Sequence, residues 1–158
     1  MQALGQLARH HWIAVVVAAA LVKLSLAGWL PLTGDEAYFA SWGLRLDYGY
    51  YDHPPMAGWM TAVMQIIGDH RLLLRLPGML TGFVLAGVFW WVLRGIDAKR
   101  AGLVALVVLI SPISLINAFT LTDTGVILFG GLSLAALIPA LGNNQLRYSA
   151  LAGICLGL

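Results

Sequence analysis

Two adjacent carboxylates, Asp35 and Glu36, follow Thr33-Gly34 and are the first acidic residues in the chain. A positioned carboxylate can take the proton of an attacking hydroxyl, so both are candidate catalytic groups. Successive helix residues point about 100° apart, which gives the two different tasks, one as base and one as binder. The structural alternative is that Glu36 closes a capping box with Thr33 while Asp35 complements the helix dipole. A second group follows in Tyr50-Tyr51-Asp52-His53-Pro54-Pro55. Proline fixes its own φ and restricts the residue before it, so Asp52 and His53 are aimed by a rigid segment. Asp35, Glu36, Asp52 and His53 offer oxygen and nitrogen ligands for a divalent cation, although no spacing matches a known metal motif, and a metal remains an open expectation. The alternative for Asp52 is a solvated side chain before a helix.

Cations complete the set. Arg71 and Arg75 stand one turn apart ahead of Leu76-Pro77, a proline expected in a first helical turn. A guanidinium fork suits a phosphate, and Arg75 is the preferred candidate, whereas Arg71 is expected to snorkel to the interface. Asp123, in Leu121-Thr122-Asp123-Thr124-Gly125, is a further candidate for the same cavity, with a helix N-cap as its alternative. Lys23 is a charge well inside an apolar run, which calls for a partner, a cavity or the nearest interface.

The elements that position these residues follow from composition. Of 158 residues, 60% are hydrophobic and 10% charged, with a mean hydropathy of +0.85. No soluble domain of this size needs so much apolar sequence, so the solvent is lipid, and long runs without strand-like alternation predict an all-α, multi-pass transmembrane helix bundle. Spans are expected at about 12–32, 72–93, 101–120 and 124–141, with Pro112 kinking the third. A further apolar run from residue 146 is too short to cross, which predicts a chain cut short inside a fifth span. A cleavable signal peptide is the alternative for the first segment. Cys155 lies alone in an apolar run and is given no role. The net charge of +2 and the lack of a basic tract speak against a nucleic-acid partner.

Residues 33–71 form the one long non-spanning stretch and hold most of the acid. Its capping-box pattern predicts a short amphipathic helix carrying Tyr38, Phe39, Trp42 and Leu46 on one stripe. A second short helix carries Met56, Trp59, Met60, Val63, Met64 and Ile67; at about 13 residues it is roughly 20 Å long, too short to span, and is expected in the interface. Arg9, Arg94, Lys99, Arg100 and Arg147 mark the cytoplasmic side, which places the acidic loop outside and Trp90 and Trp91 in the inner aromatic belt.

Gly34-Asp-Glu-Ala-Tyr-Phe, Tyr50-Tyr-Asp-His-Pro-Pro-Met, Arg75-Leu-Pro and Thr122-Asp123, in this order, resemble the amino-terminal part of bacterial membrane glycosyltransferases. These are relatives of the aminoarabinose lipid A transferase and of the dolichyl-phosphate-mannose protein mannosyltransferases, which share the GT-C fold. The resemblance covers nearly all of the chain. It implies an enzyme of the bacterial inner membrane that faces the periplasm and moves one sugar, with inversion, from a polyprenyl-phosphate carrier to a lipid, glycan or protein acceptor. It maps the general base to Asp35 and the neighbouring acid to Glu36. Arg75 is mapped near the lipid phosphate, with Tyr51, Asp52, His53 and Asp123 as further substrate-binding candidates. Family members are several times longer, so the chain is expected to be an amino-terminal piece, inactive alone. Two other readings compete: a transporter or carrier whose path is lined by Lys23, Asp35 and Asp123, and a non-catalytic fragment.

Overall fold

The computed structural model describes residues 2–143 and 145–158, with side chains described from Trp12 onward apart from that of Asn143. Among the described residues there are eight helices and no strand: α1 (Gln2–Trp29), α2 (Gly34–Gly43), α3 (Met56–Ile67), α4 (Arg71–Leu93), α5 (Ala98–Ile110), α6 (Pro112–Ile116), α7 (Asp123–Asn143) and α8 (Leu146–Leu156). Three are long and apolar enough to cross a membrane, over Trp12–Trp29, Arg71–Leu93 and Asp123–Gly142. The chain is thus an all-α membrane helix bundle.

Packing follows the logic of a lipid solvent. Large apolar side chains gain nothing by leaving lipid, so helices approach through small residues. Ala19, Ala86 and Ala105 meet with Leu109 where α1, α4 and α5 converge, and Ala135, Ala136, Ala140 and Ala152 are buried where α7 pairs with α8. Leu21, Val22, Leu103, Val107 and Val126 point outward. Helix α4 is the hub, in contact with α1, α3, α5, α6 and α7. At Gly78 an added Cβ would land on the Phe119 carbonyl, so only glycine lets the chain after α6 lie this close to α4.

The 101–120 run is the main departure from expectation. It is a break rather than a kink: α5 ends at Ile110, and Ser111 adopts φ −59° and ψ 147°. Proline disfavours a helical conformation in the residue before it and has no N–H to donate. Ser111 Oγ then accepts the Ser114 N–H at 3.1 Å and caps the new short helix α6. Neither α5 nor α6 is long enough to span by itself. Pro77 also differs from expectation. His70 Nδ1 accepts the Leu72 N–H and starts α4 at Arg71, which puts Pro77 inside the helix rather than in its first turn.

Both loop helices form. Thr33 Oγ1 accepts the Glu36 N–H at 3.2 Å, and the Thr33 N–H donates to Glu36 Oε2 at 3.0 Å, completing the capping box that opens α2. The helix ends at Gly43, so Leu46 lies beyond it and is exposed. Helix α3 turns its small face, Ala57, Gly58 and Thr61, inward, with α2 as its main neighbour, and leaves Val63, Ile66 and Ile67 outside. Thr61 Oγ1 donates within reach of the Phe39 carbonyl (3.1 Å), and Gln65 Nε2 donates to the Ala40 carbonyl at 2.9 Å, so side chains of α3 meet main-chain carbonyls of α2.

Candidate functional site

The two adjacent acids meet opposite fates. Asp35 is exposed in the first turn of α2, whereas Glu36, the next residue round the helix, is buried. Glu36 turns toward α4 and is held there by Arg75. Arg75 Nε donates to Glu36 Oε1 at 2.6 Å and Nη2 donates to Oε2 at 2.7 Å, a two-point clasp between forks. The remaining guanidinium protons go to the end of α1: Nη1 donates to the Ala27 and Leu30 carbonyls at 2.6 and 2.9 Å, and Nη2 to the Pro31 carbonyl at 2.8 Å. A guanidinium has five N–H donors, so all are spent. The Phe119 ring lies 4.8 Å from Cζ, and Arg75 is 0% exposed.

This arrangement revises the expectation for Arg75. Sequence reasoning aimed it at a lipid phosphate; in the structure it fastens α2 and the end of α1 to α4 and has no proton left to offer. Burial alone raises the Glu36 carboxyl pKa, but the hydrogen bonds from Arg75 and Thr33, with the Arg75 charge, outweigh it and hold it below the ordinary carboxylate value. Glu36 therefore stays ionised as an anchor, and its oxygens are occupied by Arg75 and Thr33. Arg71, one turn nearer the loop, is partly exposed, and among the described residues it makes no ion pair.

An aromatic cluster draws the other candidates toward α2. Phe39, Trp42 and Ala57 are buried together, with Tyr50 and Leu121 packed against them. Tyr50 stacks on Trp42 at 4.2 Å with 4° between the planes, and its hydroxyl reaches the Trp42 carbonyl at 2.9 Å. The His53 ring centre is 6.0 Å from those of both Phe39 and Trp42. Thus the Asp52-His53 turn is seated against α2 one turn past Asp35, and Leu121 brings the turn before Asp123 to the same cluster. Asp123 is exposed as the first residue of α7, on the rim of a hollow that Asn117 and Leu121 also line. Met56 touches the same helix start, since a Cβ on Gly125 would meet its side chain.

Tyr51 is fully exposed, and the aromatic support of the loop comes from Tyr50 instead. His53 Nδ1 lies 3.1 Å from Asp52 Oδ1 but is out of line for a hydrogen bond, and it is buried with no other partner. Among the described residues no three His, Cys, Asp or Glu side chains gather closely enough to hold a metal ion, so the four residues named for a divalent cation are not brought together. Sequence reasoning passed over Tyr48 and placed Trp59 only on the apolar stripe of α3. With Leu46 and Asp47 they line an open hollow of about 460 Å³, with Trp59 Nε1 donating to the Asp47 carbonyl at 3.0 Å.

A family model described as dolichyl-phosphate-mannose-protein mannosyltransferase matches residues 52–158, which include Asp52, His53, Arg75 and Asp123 and begin after Asp35 and Glu36. No curated protein and no solved structure matches the chain.

Proposed function

The chain belongs to the dolichyl-phosphate-mannose-protein mannosyltransferase family, and from that premise we propose that it serves sugar transfer from a polyprenyl-phosphate carrier to a lipid, glycan or protein acceptor, with inversion. The loop carrying α2 and α3 faces the periplasm of a bacterial inner membrane in this reading, because the short basic connections favour the cytoplasm. The acceptor hydroxyl oxygen attacks the anomeric carbon and the bond from that carbon to the phosphate oxygen breaks. The hydroxyl proton passes to Asp35, and the polyprenyl phosphate departs with the bonding electrons.

One observation carries the choice of base. Asp35 presents an exposed carboxylate on a helix whose neighbouring acid is locked to Arg75. Glu36 and Arg75 act as positioning residues, since their polar atoms are consumed by each other and by main chain. Arg71 takes the role of meeting the phosphate, being the guanidinium near the mouth of α4 that makes no ion pair among the described residues. Tyr51, Asp52, His53 and Asp123 bind substrate around the same cluster.

The test is Asp35→Asn, assayed in native membranes for transfer from a labelled polyprenyl-phosphate sugar. Transfer should fall on the order of 100-fold or more, with membrane insertion and helix content unchanged. Full residual transfer would reject Asp35 as the base.

A further inference from the structure

The loop between α2 and α3 carries an exposed acid that is held more firmly than a solvated side chain requires. The Asp47 N–H donates to Tyr50 Oη at 3.3 Å, and the Asp47 carbonyl accepts from Trp59 Nε1 at 3.0 Å. Tyr50 is itself fixed, stacked on Trp42 with its hydroxyl within reach of the Trp42 and Arg45 carbonyls at 2.9 and 3.0 Å. One carboxylate oxygen, Asp47 Oδ1, accepts the Tyr48 N–H at 2.7 Å. Among the described residues the carboxylate makes no ion pair, not even with Arg45 two residues away, so Oδ2 is aimed and unspent.

Two rings stand beside this acid. The centres of Tyr48 and Trp59 are 6.4 Å apart with 87° between the planes, which makes a corner, and Tyr48 is 91% exposed. With Leu46 and Asp47 they line the open hollow of about 460 Å³, a size that suits a small ligand, and the lining holds no basic side chain. The face of an aromatic ring carries partial negative charge, so the rings and the carboxylate attract the same partner, a cation. A bare metal ion is poorly served, because hard cations take six or more oxygen ligands and one carboxylate stands here. An organic ammonium is served well, since it donates to the carboxylate and lays its charge against the rings. The direction in which the hollow opens names the carrier. Trp59, Val63 and Ile66 follow at helical spacing on one face of α3, and Val63 and Ile66 are exposed, Ile66 to 86%. Such an apolar stripe on a short helix beside a membrane bundle suits the boundary between headgroups and acyl chains, where tryptophan is also at home.

We propose that the hollow binds the primary ammonium of a zwitterionic phospholipid headgroup. Asp47 Oδ2 accepts its N–H, Tyr48 and Trp59 flank it, and the acyl chains of the same lipid lie along Val63 and Ile66. The site takes no part in sugar transfer. It fastens the loop that carries α2, and with it Asp35, to the bilayer surface by one particular lipid.

The experiment is native mass spectrometry of the full chain in detergent, offered equal amounts of phosphatidylethanolamine, its N-acetyl derivative and phosphatidylglycerol with identical acyl chains. One phosphatidylethanolamine should be retained at several-fold higher occupancy than either lipid that lacks the ammonium. Asp47→Asn keeps the shape of the side chain and should lower that occupancy about fivefold. Tyr48→Ala, at a position too exposed to disturb folding, should lower it about threefold. Neither change should alter phosphatidylglycerol occupancy or helix content. Equal occupancy of the three lipids or an undiminished preference in Asp47→Asn would overturn the proposal. So would displacement of the lipid by equimolar phosphoethanolamine free in solution, because the ligand would then be a soluble amine.

Discussion

Arg75 and Lys23 are two cations buried where α1 meets α4, one turn apart along both helices, and the protein answers them in opposite ways. Arg75 has five donors and five protein acceptors, including both oxygens of Glu36. Lys23 has one carbonyl and the face of a ring. The upper site is closed: its charge is cancelled and its geometry is fixed by a planar fork that fits a carboxylate and a turn of main chain at once. The lower site is less complete: a flexible point charge with one main-chain acceptor and a ring face among the described residues. Completeness of hydrogen bonding, more than depth, separates the two cations.

Arg75→Met strands Glu36 without its counter-charge and uncovers three carbonyls, and losing one partner of a buried pair costs about 3–5 kcal/mol. Unfolding of the purified protein by denaturant should show that loss, and Arg75→Met combined with Glu36→Leu should recover part of it; a cycle with no coupling between the two positions would contradict the clasp. A smaller effect comes from pH. The folded Glu36 pKa lies below the ordinary value of 4.5, so its contribution is fully present above that value and is lost as pH falls through the folded one. Thermal midpoints between pH 7 and pH 3 should therefore drop more steeply below about 4.5 for the native protein than for Glu36→Gln, which lacks the titrating group. Smallest is Thr33→Ala, which removes the cap but keeps the ion pair and should cost about 1 kcal/mol in the same denaturant measurement. A cost as large as that of Arg75→Met would mean that the cap, and not the guanidinium, holds Glu36.

What could be read from the chain depended on range. The capping box at Thr33 and Glu36 is a contact across three residues and was visible in the order of residue types. The length of α3 followed from the stripe that begins after Pro54-Pro55 and ends at Ile67. Ser111-Pro112 was legible as a disturbance, but whether it bends or ends a helix depends on the Ser111 side chain finding the Ser114 N–H. The Glu36 to Arg75 pair spans 39 residues, and nothing local to either residue names the other. Both were therefore picked as functional candidates for the chemistry that they in fact spend on each other. Lys23 stood out as a charge in an apolar run, while the Met79 carbonyl that accepts from it, 56 residues on, left no trace in the order of residues.

The three carbonyls that Arg75 caps have a meaning for biogenesis. Ala27, Leu30 and Pro31 leave the ribosome 44 to 48 residues before the guanidinium that satisfies them. The loop-side end of the first span accordingly lacks its final hydrogen-bond donor until the second long helix has been made. The final seating of the first span is thus tied to that of the second, and the arginine is the tie.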